Sequence, residues 1–376
     1  MRRSVLKPGG HLDRYVGSLY LASYVTAFLI IVGLFLILDM ASNLEGYLEL
    51  WPDGTRASTL LIVRYYILQI PFLYLQVAPF ITLVAGLFTV AKLLKHSETV
   101  AALAAGVSAH RLLAPVFIAG FVSAIVMFSL RELATETIAD RRDQYRYTLD
   151  KKVREPVYLN VRVRDLRGNL VELGEYRPST GSPPHPEARG VDAIRQSSSQ
   201  PWTLTEVVAT SMVYEERDGY TRWWLEGGVR RESQQQGLQR EEPVEFLSGF
   251  DFTPRVALAE VRAEQNPLEV SFGEARELSR RDPDNVVYQT LLQYHLTFPL
   301  ACVVLLLVGV PLLLRHEKKG IEGLAQGSLL CVFYFAVDFI CRNLGLQGGL
   351  DPMLAAWLPN TSTGSLGLVF FDAMRT

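Results

Sequence analysis

Apolar residues follow two different scales along this chain. On the longer scale, apolar runs occupy residues 16–38, 60–91, 112–130, 291–314, 321–341 and 354–373. About 20 apolar residues in a helix cross a bilayer, so each run reads as a membrane span. The second run is long and holds Gln69, Pro71, Gln76 and Pro79, which suits a helix packed inside a bundle rather than one bathed in lipid. Pro299 and Pro311 interrupt the fourth run, and Pro359-Asn360-Thr361-Ser362-Thr363 makes the sixth the weakest. The first run is too long for a signal-peptide core, and no convincing small-residue cleavage site follows it. It reads as a retained span.

On the shorter scale, residues 131–290 read as a separate domain. It opens with a charged helical stretch over 132–152. Val157, Leu159, Val161 and Val163 then alternate with polar residues, DLRGN at 165–169 makes a turn, and 170–173 returns as a strand. Further strands are predicted over 203–210, 211–215, 221–225, 228–231 and 242–246, with Arg217-Asp218-Gly219-Tyr220 turning between two of them. Residues 179–200, rich in Pro, Ser and Gly, read as a flexible loop. A helix over 271–281 closes the domain, and Trp223 and Trp224 alternate faces. Many short strands with regular turns predict a sandwich or jelly roll. The predicted fold is an α-helical integral membrane protein with six transmembrane helices and an inserted all-β, jelly-roll-like domain. Its plan is 1–130 with three spans, 131–290 as the β-domain, and 291–376 with three more spans.

Charge orients this layout. Arg2, Arg3, Lys7 and Arg14 precede the first span against Asp13; Lys92, Lys95 and Arg111 lie between the second and third; Arg315, Lys318 and Lys319 follow the fourth; Arg375 follows the sixth. The positive-inside rule puts all of them in the cytoplasm and the β-domain outside, since arginines in a long insertion count for little. Trp51-Pro52-Asp53-Gly54 marks a turn on the outer side. A net charge of −2 over 376 residues gives no reason to expect a nucleic-acid partner. Mean hydropathy of +0.16 fits a mixture of membrane and soluble parts. Cys302, Cys331 and Cys341 all lie in apolar runs and read as small buried thiols rather than a disulfide framework.

Residues 92–111 form a short amphipathic, helix-forming segment on the cytoplasmic side, with Glu98 near its start, Ser97 as its predicted cap and Ala105-Gly106 as a small surface. Such a segment is a handle for a soluble partner. Positive signs of catalysis are missing. The chain has no Gly-Lys dipeptide and hence no phosphate-cradling loop, and Gly320 stands where a second zinc-binding His would follow His316-Glu317. Asp338 is the one acid well inside a span and is expected to face the bundle. His295 reads as structural or interfacial. No catalytic residue, metal or cofactor is expected.

Several stretches resemble one family. Leu12-Asp13-Arg14-Tyr15-Val16-Gly17 resembles the start of the LptF/LptG (YjgP/YjgQ) lipopolysaccharide export permeases and leans toward LptG. Residues 79–115, with Glu98 and Ala104-Ala105-Gly106-Val107-Ser108, are similar to the family's second span, cytoplasmic helix and third span. Residues 295–314 (HLTFPLACVVLLLVGVPLLL) and 351–360 (DPMLAAWLPN) resemble its fourth span and the start of its last. The resemblance implies a permease of an ABC transporter in the bacterial inner membrane, paired with a second homologous permease as a heterodimer. It would sit over a cytoplasmic ABC ATPase dimer. Lipopolysaccharide would leave the membrane and pass through jelly-roll domains to periplasmic bridge proteins of the LptC/LptA type. It also implies ATPase coupling through Glu98, Ala105 and Gly106. Asp39 aligns where the LptG type usually has a lysine for the anionic head group, so Arg64, Arg131 and Arg342 become the candidate lipid head-group residues beside Asp39. The alternatives are an envelope-sensing or scaffold membrane protein, or an exporter of another lipid.

Overall fold

The structure is a computed structural model. It describes residues 10–49, 57–151, 157–178, 185–196, 203–217, 219–234, 237–315 and 320–374. The basic residues Arg2, Arg3, Lys7, Lys318, Lys319 and Arg375, the Trp51-Pro52-Asp53-Gly54 turn and His316-Glu317 lie outside these ranges, as do 179–184 and 197–200 of the predicted loop and Asp218 of the predicted turn.

The chain divides into two compact units. The first comprises Met1–Glu45, Tyr66–Ala134 and Gln293–Thr376, and the second Gly46–Tyr65 and Thr135–Leu292. Long helices run as α1 (His11–Leu48), α2 (Thr59–Lys95), α4 (Ala109–Thr137), α8 (Val286–Thr297) continuing through a 3-10 turn into α9 (Ala301–Arg315), α10 (Gly320–Leu346) and α11 (Pro352–Asp372). Among the described residues, five helical segments are long and apolar enough to cross a membrane: His11–Leu48, Thr59–Lys95, Ala109–Thr135, Val286–Leu314 and Ala325–Leu346. The sixth predicted span is helical as α11, but its Asn-Thr-Ser-Thr centre leaves it outside that set.

The core of the first unit joins these helices. Leu83, Leu87, Val90, Leu113, Val116, Leu305, Leu306 and Val310 are all buried in one cluster, together with Val16 and Tyr20 of α1. Gly86 and Gly120 both face Leu306, and a Cβ at either would lie 2.4 Å from its methyls. α1 is the least buried of the five apolar segments. Its N-terminal half packs through Val16, Tyr20 and Tyr24, whereas Leu29, Ile30, Ile37 and Leu38 are exposed. All three cysteines are free and buried, as their apolar surroundings predict.

The predicted amphipathic helix over 92–111 is shorter than expected. Lys92 and Lys95 belong to the last turn of α2, and His110 and Arg111 to the first turn of α4. Between them stands α3 (Glu98–Ala104), seven residues long. Ser97 holds the N-cap position but has φ 57° and makes no side-chain cap bond, because its left-handed backbone is used to turn the chain out of α2.

The second unit is a seven-stranded antiparallel sheet with helices. The strands are β1 (Tyr158–Arg164), β2 (Leu170–Arg177), β3 (Glu187–Gln196), β4 (Leu204–Arg217), β5 (Tyr220–Glu226), β6 (Val229–Gln234) and β7 (Gly237–Pro243). Their order is β1-β2-β3-β4-β6-β7, with β5 also on β4. The alternating hairpin forms as expected, with Val161 opposite Leu173 and Val163 opposite Val171. Three expectations need correction. β3 lies inside the predicted 179–200 loop, its buried positions being the small or short Ala188, Val191 and Ala193. The two strands predicted over 203–215 are one, β4. The last strand is β7, earlier than the predicted 242–246, and Phe246 makes only an isolated bridge to Trp224.

The sheet carries a crease. Buried positions fall on Val171 and Leu173 but then on Tyr176, on Val191 and Ala193 but also on Ala188, and on Val207 and Ala209 but then on Met212. Successive strand residues face opposite ways, so all three strands exchange their buried face along one line. Gly174 and Gly190 meet on that line: a Cβ on Gly174 would lie 3.2 Å from the Arg189 carbonyl, and Gly190 has φ +62°. Beyond the crease, Tyr176 Oη donates to the Pro254 carbonyl at 3.1 Å and Trp223 Nε1 to the Phe252 carbonyl at 3.2 Å.

Helices α5 (Ala139–Lys151), α6 (Pro254–Gln265) and α7 (Phe272–Arg281) complete the unit. α7 begins with the reciprocal Ser271–Glu274 capping box. Arg262 of α6 reaches Glu274 at 2.8 Å, Asp143 at 3.3 Å and also Asp140, tying the three helices together. Glu260 is buried and accepts from Tyr288 Oη at 2.6 Å. Burial pushes its carboxyl up to about 7; the Tyr288 bond and nearby Arg281 oppose the rise, while Glu264 and Asp282 add to it. The native state therefore holds a proton that the unfolded chain releases. Stability from this group is fully present below about pH 4.5 and is lost as pH rises through 7. In Glu260→Gln, the isolated full chain should show a flatter unfolding midpoint between pH 5 and 8, measured by tryptophan fluorescence.

Candidate functional site

Two constellations in the first unit bring together residues of chemical interest. The first surrounds α3. The Glu98 carboxylate accepts a hydrogen bond from Tyr15 Oη at 2.9 Å. Arg111 donates through both terminal nitrogens to Asp13, each at 2.7 Å. Asp13 and Tyr15 both belong to the Leu-Asp-Arg-Tyr motif at the start of α1, so that motif fastens α1 to the two ends of the α3 segment. His110 Nε2 lies 2.9 Å from the Phe371 carbonyl of α11. Ala104, Ala105 and Gly106 are exposed, Gly106 has φ +81°, and no atom lies within 4 Å of where its Cβ would stand. The predicted coupling residues therefore share one small, open platform.

The second constellation is a buried charge cluster. α10 presents Asp338 and Arg342 one turn apart. Arg342 Nη1 donates to Tyr294 Oη at 2.8 Å, and Tyr294 Oη donates to Asp338 Oδ2 at 3.1 Å. Tyr294 stacks on Phe298, with centroids 4.9 Å apart. Arg342 lies over the Tyr294 ring at 5.2 Å and Arg131 over the Phe298 ring at 5.7 Å. Arg131 is 6% exposed, and its Nη1 makes no hydrogen bond among the described residues. Asp338 pairs with Arg342 at 3.4 Å, and among the described residues no ion pair reaches Arg131. Burying a cation without a partner is costly, so a buried guanidinium is met by a ring face, a hydrogen bond or a ligand.

Arg131 and Arg342 thus converge, as candidates for one role should. Arg64 is exposed, on the stretch of α2 that belongs to the second unit. Asp39 is half-buried on α1 and accepts from Asn43 Nδ2 at 3.1 Å, a contact within its own helix. Sequence reasoning missed Tyr294 and Phe298, the rings on which both arginines rest. A hydroxyl inside an apolar run was the available signal. It also missed Asn360, which bridges the Thr297 carbonyl at 2.8 Å and Tyr334 Oη at 3.0 Å from within the weak sixth segment. Among the described residues no three His, Cys, Asp or Glu side chains are placed to share a metal ion.

The model for lipopolysaccharide export system permease LptF/LptG matches residues 14–372, nearly the whole chain. The chain belongs to the LptF/LptG permease family. Membership accounts for the apolar helices and the inserted β-domain of this LptF/LptG protein, a multi-pass membrane permease. No curated protein matches the chain. The family match does not separate LptF from LptG, so the LptG leaning rests on the N-terminal motif alone.

If the unpaired cation at Arg131 is kept for a ligand, the fold should not need it. Arg131→Met, similar in length and uncharged, should leave the thermal midpoint of the purified chain unchanged or higher. Asp338→Leu, which strands Arg342 without its carboxylate, should destabilise by about 3–5 kcal/mol. Thermal melting in detergent checks the first and chemical unfolding in detergent the second.

Proposed function

We propose that the chain is the transmembrane subunit of an ABC transporter in the bacterial inner membrane, exporting lipopolysaccharide. Six helices span the membrane, α11 being the sixth. The β-domain stands in the periplasm and continues as a jelly roll toward bridge proteins of the LptC/LptA type. A homologous permease completes the cavity, and ATP is hydrolysed by a separate cytoplasmic ATPase dimer.

The observation that carries this reading is the α3 platform. A seven-residue helix ends at exposed Ala105 and Gly106, and its first residue is an acid. A groove on the ATPase accommodates such a peg only if its side chains are small, and Glu98 supplies a charge for a basic partner. When the ATPase dimer closes, α3 moves. The Asp13–Arg111 and Tyr15–Glu98 contacts pass that movement to the inner end of α1, whose outer half has few packing contacts to resist it. Arg131 and Arg342 then offer the lipid phosphate a bidentate cationic site. A sensing or scaffold protein would have no use for such an uncompensated buried cation.

Replacing Glu98 by Lys reverses the charge at the platform. The ATPase should copurify at a tenth of the normal level or less, with lipopolysaccharide release from proteoliposomes falling in parallel. Unchanged copurification and unchanged release would remove Glu98 from the coupling role.

A further inference from the structure

Glu98 opens α3, and no side chain of that helix holds it. Its neighbours one turn on are Ala101 and Ala102, neither of which bonds a carboxylate through its side chain. A glutamate in that setting keeps many rotamers, and fixing it at an interface costs affinity. The restraint comes from α1. Tyr15 Oη donates to Glu98 Oε1 at 2.9 Å, and among the described residues it is the carboxylate's hydrogen-bond partner. We propose that Tyr15 is a positioning residue for the coupling contact: its hydroxyl holds Oε1 and so presents the rest of the carboxylate to a basic side chain of the ATPase. This rests on the reading of Glu98 as the coupling acid.

The geometry suits support rather than competition. An ionised carboxylate has about four lone-pair sites, and one tyrosine hydroxyl takes one of them. A guanidinium or ammonium therefore pairs with Glu98 while the tyrosine stays in place. The base of the tyrosine is itself fixed. Two residues before it, Asp13 receives both terminal nitrogens of Arg111 at 2.7 Å, which pins the first turn of α1 to the first turn of α4. Two residues along a helix turn about 200°, so the two side chains leave α1 on different sides. The start of α1 is thus tied to both ends of the α3 segment, and Glu98 takes its orientation from that frame. Tyr15 is 47% exposed, so its bond is exchanged against water and adds little to the fold. What the hydroxyl supplies is direction.

The test uses the native complex, from which the ATPase is stripped and titrated back. The readouts are the ATPase's affinity for the chain, the lipid released per ATP hydrolysed and the melting midpoint. Tyr15→Phe removes the hydroxyl and keeps the ring. It should weaken ATPase binding about three- to tenfold, the cost of ordering a loose glutamate on docking. Lipid released per ATP should fall as well, with the melting midpoint unchanged. In a Glu98→Gln background, itself weaker in binding, the same replacement should change affinity less than about twofold, because the two residues act as one unit. Unchanged affinity in Glu98→Gln removes the coupling acid, and this proposal with it. Weakening in Glu98→Gln but not in Tyr15→Phe overturns the role of Tyr15 alone. Equal weakening by Tyr15→Phe in both backgrounds also overturns it, since the hydroxyl then acts apart from Glu98. Tighter binding in Tyr15→Phe makes the tyrosine a competitor for the carboxylate and overturns the supporting role.

Discussion

Two arginines and one carboxylate buried against a pair of stacked rings govern the membrane half of this protein. In lipid-facing helices there is little hydrophobic advantage in helix–helix contact, so packing and polar contacts decide the arrangement. The Arg342–Tyr294–Asp338 chain fixes α10 to α8, and Asn360 fixes α11 to the same neighbourhood through Thr297 and Tyr334. Arg131 enters that cluster on an aromatic face with one nitrogen unmet. The helices converge on a site that is electrostatically incomplete as it stands.

The far end of the same unit is organised differently. There charged and hydroxyl groups meet in pairs: Asp13 with Arg111, and Tyr15 with Glu98. They sit at the N-terminal end of α1, where Val16 and Tyr20 also join the apolar core. The two ends divide the work. One holds α1 to the short α3 between two left-handed residues, Ser97 and Gly106, and the other gathers Arg131 and Arg342 on the Phe298 and Tyr294 rings.

The long apolar runs were legible because membrane crossing demands length, and length survives any local irregularity. The β-hairpin at 158–177 was legible because its alternation is unbroken until Gly174. β3 was not, because short side chains at its buried positions and flanking Pro and Ser mimic a loop. α3 was visible as a polar interruption, yet its brevity was not, since turning out of α2 takes a left-handed serine that no pattern announces. In the site, Glu98 and the arginines stood out as charges in unusual places. Tyr15, Tyr294 and Phe298 did not, because aromatic residues in apolar runs are ordinary until a tertiary partner is known.

The crease across β2, β3 and β4 gives one sheet two interiors. Its first stretch shelters Val161, Val171 and Val191, and its second shelters Tyr176, Met212 and Trp223 on the reverse side. The glycine pair at the fold line touches neither interior with a side chain, yet both depend on it for their orientation. The line through Gly174 and Gly190 therefore marks where each of the three strands turns its other face inward.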